Sequence, residues 1–77
     1  MKHKKFYARV GFDTDNEGNN PKATELAYFD SREEAESWAQ DLTDNYTGDG
    51  RIDHDFWQWM GDEWVHLGTT AIMRGQG

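Results

Sequence analysis

Apolar and polar residues alternate along "KKFYARVGF" from Phe6 onward. Phe6, Ala8, Val10 and Phe12 fall on one face of an extended segment, with Tyr7 and Arg9 on the other, which is the period of a half-buried strand. The polar run "DTDNEGNNP" follows, rich in residues that tolerate turns and contribute little to a core. "ATELAYF" then reads as a second strand, the return arm of a long-looped hairpin. In "FDSREEAESWAQDL" the period changes. Ser31 precedes Glu34 by three positions, the spacing of a capping box that satisfies free amides at a helix start. Glu33, Glu34 and Glu36 occupy the first turns, where the helix dipole favours negative charge. Ala35, Trp38, Ala39 and Leu42 form one narrow apolar stripe, and the segment predicts an amphipathic helix of about three turns.

After a loop over residues 44–51 the period returns to two. "DFWQWMGDEWVHLGTTAIM" predicts two strands around a turn at Gly61, Asp62 and Glu63. On the first arm Trp57 and Trp59 oppose Phe56, Gln58 and Met60. On the second, Trp64 and His66 oppose Val65, Leu67 and Thr69. The order β-β-α-β-β predicts a single α+β domain, a four-stranded, mainly antiparallel sheet with one helix packed on one face.

This architecture leaves a surplus of rings. One helix covers one face, yet four tryptophans, three tyrosines and four phenylalanines are present in 77 residues. With Phe6, Ala8, Val10 and Phe12 against the helix, Tyr7 belongs to the other face. Either Trp57 and Trp59 or Phe56 and Met60 join it, depending on register. An exposed apolar face on so small a domain marks a partner or dimer surface, and Trp and Tyr most often dominate interface energetics.

Charge narrows the partner. The chain carries 8 Lys and Arg against 15 Asp and Glu, for a net charge of −7. Residues 10–73 hold three cations (Lys22, Arg32, Arg51) and all fifteen acids, a balance of −12. Such a surface repels phosphate backbones, which argues against direct nucleic-acid binding, and is drawn to a basic surface of the kind that holds DNA or RNA. Asp13, Asp15, Glu17, Asp49, Asp53 and Asp55 are the candidates for attraction and steering; Tyr7, Trp57 and Trp59 are the candidate anchors. There is no cysteine, so neither a disulfide framework nor a thiolate zinc site is available. No apolar run reaches the roughly 20 residues of a bilayer span, and no signal-peptide pattern opens the sequence, so a cytoplasmic protein is expected.

"DNYTGDGRIDHDF", residues 44–56, raises the question of calcium. With Gly50 at the sixth position of an EF-type loop, Asn45, Thr47, Asp49 and Asp53 fall at positions one, three, five and nine, and Ile52 at eight. Position twelve is Phe56, so the bidentate carboxylate is missing. A weak calcium-binding domain is one alternative, a homodimeric structural or regulatory module another, and no cofactor is expected. The histidines point to no reaction. His54 sits among Asp53 and Asp55, whose charge would raise its proton affinity, while His66 beside Trp64 is a core-edge or interface residue. No phosphate loop, nucleophile elbow or helical zinc-ligand pair occurs, and an enzyme is not expected.

Residues 29–42, "FDSREEAESWAQDL", resemble a segment of a small anti-CRISPR protein of the type I-F class, in which a similar "FDS" cap precedes an "ESW" helix. "ARV" at residues 8–10 and "GRI" at 50–52 are further echoes. Small phage inhibitors of host RNA polymerase have a related layout, a strand starting like "KKFYARV" and then a capped acidic helix. The resemblance implies a non-enzymatic phage or mobile-element protein. Such a protein works in an infected bacterial host, where it occludes a nucleic-acid-handling complex such as a CRISPR surveillance complex. The tryptophan-rich residues 56–64 have no counterpart in it, and no binding residue is carried over.

Overall fold

A computed structural model describes residues 4–15, 19–48 and 50–74. The elements are β1 (Phe6–Thr14), β2 (Ala23–Phe29), α1 (Arg32–Asn45), β3 (Gly50–Trp59) and β4 (Trp64–Arg74). All strand pairs are antiparallel, in the spatial order β2-β1-β3-β4. The expected α+β sheet with one helix is therefore present. The chain makes two hairpins, and the first strand of each lies at the centre of the sheet.

The helix begins as its sequence requires. Ser31 Oγ accepts from the Glu34 backbone N–H at 3.2 Å and donates to the Glu34 carboxylate at 3.2 Å, which satisfies one of the free amides of the first turn. Arg32 pairs with Glu36 one turn along at 3.0 Å. The helix runs to Asn45, three residues past the predicted stripe, and closes where the Tyr46 N–H donates to the Thr43 carbonyl at 3.2 Å. Its last turn has no basic residue.

Facing strand partners share one side of the sheet, so the register assigns the layers. Ala8, Val10 and Phe12 of β1 and Ile52 of β3 are buried against Ala35 and Ala39 of α1. Trp38, Leu42, Tyr46 and Phe56 ring this small core, with Phe12 stacked on Tyr46 at 4.7 Å and Phe29 on Trp38 at 5.3 Å. Two alanines at the contact let the helix lie close to the strands it crosses. It packs on β1, β2 and β3, and only the Arg32 and Glu36 side chains border β4, across a pocket beside Leu67–Thr70.

Two bulges break the simple alternation. In β1 the register shifts between Phe12 and Thr14, with Asp13 in the left-handed region at φ 55°. Gly50 lies beside it at φ +105°, where a Cβ would collide with the Asp13 carboxylate and meet its Cα at 3.4 Å. The glycine that a calcium loop would need for its own sharp turn is thus needed here for the close passage of two strands. The second bulge lies opposite Phe56 and Trp57, with Gly68 at φ +135°. It corrects the alternation expected for the last strand. Thr69 faces Asp55 and shares the side of His66, not that of Val65.

Candidate functional site: an uncovered aromatic sheet face

The side of the sheet turned away from α1 carries the surplus rings. Tyr28, Tyr7, Trp57 and His66 form a row across β2, β1, β3 and β4, because each is the cross-strand partner of the next. Successive ring centroids are 5.0, 4.8 and 5.0 Å apart, the spacing of favourable tilted aromatic contacts. Trp64 lies 6.0 Å from Tyr7 and 5.8 Å from Tyr28, and Trp59 lies 5.4 Å from Trp64. Register thus puts Trp57 and Trp59, and not Phe56 and Met60, on the open face with Tyr7. Tyr28 is 54% exposed and Trp64 39%. An open cleft of about 520 Å³ continues the cluster past Trp59, lined by Lys5, Gln58, Met60 and Gly61.

Next to the rings, along the same face, run polar rows. Asp55 accepts from Arg9 of β1 at 3.3 Å and from Thr69 of β4, and its other close neighbour is His66 Nε2 at 3.0 Å. Asp53 accepts from Thr14 at 2.9 Å and from Arg51 at 2.8 Å. Both aspartates are buried. Their carboxylates are matched by neighbouring cations and hydroxyls, so they bind three strands together and do not act as solvated charge. This corrects the expectation that Asp53 and Asp55 steer a partner: the same alternation that placed them together also turned them into the sheet. Arg9 Nε is the buried side-chain donor without a hydrogen-bond partner among the described residues.

The other acidic candidates are scattered. Asp13 sits in the bulge and pairs with Lys22 at 2.9 Å. Asp15 closes the β1–β2 loop, accepting from the Asn19 N–H at 2.8 Å and the Asn20 amide at 3.1 Å. Glu17 and Asp49 lie outside the described residues. Most of the exposed negative charge within regular elements is on α1, where Glu33, Glu34, Glu36, Asp41 and Asp44 all face solvent; Glu25 of β2 is exposed too. Charge and rings therefore occupy opposite layers of the molecule.

Two of the residues aligned with a calcium loop, Asn45 and Asp53, have other partners. The Asn45 amide donates to the Asp41 carbonyl at 2.9 Å within the helix, and Asp53 belongs to the sheet. Among the described residues no group of three or more His, Asp or Glu is placed to hold a metal ion. His54 also departs from expectation. It lies under the helix, 2.6 Å from Thr43 Oγ1, and its pKa is lowered: burial outweighs the raising effect of Asp53 and Asp55, which lie on the opposite side of the strand.

Tyr28, Trp64 and His66 belong to the ring cluster although none was a candidate anchor. The signal for Tyr28 was available in the hairpin, since a register pairing Phe6 with Phe29 sets it opposite Tyr7. That register depends on a nine-residue polar loop whose geometry has no short-turn signature. No family model, curated protein or solved structure matches this chain. No helix among the described residues is long and apolar enough to cross a membrane.

Proposed function

We propose that this protein acts by docking and not by catalysis. In this reading it seats the uncovered sheet face on a bacterial nucleic-acid-handling complex and blocks that complex by occlusion, as the resemblance to small phage inhibitors implies. The observation that carries the reading is the continuous cluster of Tyr7, Tyr28, Trp57, Trp59, Trp64 and His66 on the side that the helix does not cover. Rigid, partly exposed rings offer large contact area at low entropic cost, and a well-packed aromatic centre is the usual source of binding energy in a protein interface.

Charge supports the choice of a basic target. The helix layer carries five exposed carboxylates in 14 residues, and the chain has a net charge of −7. A field of that sign speeds approach to a surface that ordinarily holds nucleic acid. The net charge draws the protein toward such a surface, and the rings make the contact there.

The test is a competition with a purified type I-F surveillance complex and its double-stranded DNA target. The protein should displace DNA or prevent its loading, and the effect should weaken as salt rises. Tyr28→Ala and Trp64→Ala change exposed positions, so the fold should persist by circular dichroism while inhibition falls by about tenfold or more. DNA loading that is unchanged at saturating protein overturns the choice of target. Inhibition undiminished by both substitutions overturns the choice of surface.

A further inference from the structure

We infer that the free edge of β4 pairs with the same edge of a second copy, joining two four-stranded sheets into one continuous sheet. The inference rests on the backbone of β4 and not on the ring cluster. β4 is the longest strand, 11 residues, and it stands at the end of the order β2-β1-β3-β4. Every second peptide unit along it turns toward β3, and the intervening N–H and C=O groups point outward. Among the described residues no other backbone partner meets β4 beyond its hairpin turn; the helix backbone packs on the other three strands, and only its Arg32 and Glu36 side chains border β4, across a pocket beside Leu67–Thr70. A row of outward donors and acceptors is a template that another extended strand satisfies.

The two edges of this sheet are treated differently. β2 is 7 residues long, carries Glu25 at its middle, follows Pro21 and Lys22, and is packed by the helix. Shortness, charge, proline and cover are the means by which proteins keep an edge from pairing. Between Trp64 and Met73, β4 has no Asp, Glu, Lys, Arg or Pro. It does have the Gly68 bulge, and that confines regular pairing to the stretch beyond it, Thr69–Met73. This stretch, "TTAIM", is β-branched and uncharged, with Thr69, Thr70, Ala71 and Met73 exposed.

A second copy is the occupant these features favour. Two identical strands meeting antiparallel are related by a two-fold axis, so one patch complements itself and the assembly closes at two. With the axis at Ala71, Thr70 of one copy faces Ile72 of the other, and Thr69 faces Met73. Both pairs keep the faces in register and cover Ile72 and Met73, the latter 56% exposed. Charge allows the approach at this place. Each copy has a net charge of −7, but the acidic helix lies over the other three strands and the edge itself is neutral. The ring clusters of the two copies then form one broader platform, still open to a partner.

The native chain has no cysteine, so a single introduced thiol reports the axis. Facing residues in an antiparallel pair have Cα atoms about 4.5–5.5 Å apart, inside the range a disulfide spans. Ala71→Cys should cross-link to a dimer under mild oxidation, and Thr24→Cys on the other edge should not. Sedimentation equilibrium should give twice the 9.0 kDa chain mass with rising concentration. Thr70→Lys should return the single-chain mass with unchanged circular dichroism. A single-chain mass at every concentration overturns the inference. So does a dimer that survives Thr70→Lys and is lost with Trp64→Ala, since its interface would be the ring cluster. A monomer that still inhibits the surveillance complex would remove edge pairing and leave the proposed function standing.

Discussion

His54 Nε2 lies 2.6 Å from Thr43 Oγ1, a hydrogen bond that ties the centre of β3 to the last turn of α1. The Thr43 hydroxyl hydrogen is directed at the Ala39 carbonyl, 3.0 Å away. With that hydroxyl donating to the carbonyl, the hydrogen bond to His54 is the one made by the Nε2–H tautomer, and burial holds the ring's pKa below the ordinary 6.5. A polar pair thus occupies the place where a larger core would have an aliphatic contact.

Stability should accordingly fall as pH drops through the histidine range. Above the ordinary value His54 is neutral in both folded and unfolded chains, and its contribution is fully present. Below it the unfolded chain takes up the proton first, and stability declines until the folded form is protonated too. Urea midpoints from about pH 8 to pH 5 should show this loss, and the difference between wild type and His54→Gln should isolate it. Parallel curves for the two proteins would remove His54 as the source.

Gly50→Ala should be markedly more costly than Gly61→Ala. Both glycines have positive φ, +105° and +102°, but an added Cβ meets Asp13 at Gly50 and nothing within 4 Å at Gly61. Backbone conformation alone accounts for about 1 kcal/mol at each site. The excess at Gly50 measures the strand crossing, and thermal denaturation of the two variants gives it directly.

Asp55→Ala removes the acceptor for Arg9 and Thr69 and the close partner of His66. A loss of about 1–2 kcal/mol is expected, because a buried carboxylate that holds part-exposed donors from two neighbouring strands is removed. Asp62→Ala, in the exposed hairpin turn, should stay within about 0.5 kcal/mol of wild type. Equal costs at the two positions would show that the polar rows contribute nothing particular.

Asp41 and Asp44 stand toward the helix C-terminus, where negative charge opposes the dipole and no basic residue answers it. Replacing both by lysine should raise stability by a few tenths of a kcal/mol or more. The same change should slow association with a basic partner and flatten its salt dependence. A gain in stability with unaltered association kinetics would mean that the helix charge serves solubility alone.

The fold was legible because each element announces its own period. The Ser31–Glu34 spacing located the helix start, and the alternation from Phe6 located the first strand with the correct inward face. Tyr7 could be assigned to the open side for the same reason. Residues whose meaning depends on long-range pairing were harder. Asp53 and Asp55 look like solvated charge in one dimension, and only the approach of Arg9, Thr14 and Thr69 from other strands, together with nearby Arg51, makes them interior. His54 reads as a neighbour of two acids, although strand alternation sends those acids to the opposite side. Thr69 was misplaced because one extra residue at a bulge inverts everything after it, and Gly68 alone does not reveal which side gains.

The helical carboxylates and the stacked rings lie on opposite sides of the sheet, so the way the molecule is tethered decides which of them a partner meets. Coupling through Lys5 would hide the rings, since Lys5 borders the Trp59 cleft, and an immobilisation made there would mask the tryptophans that it was meant to display.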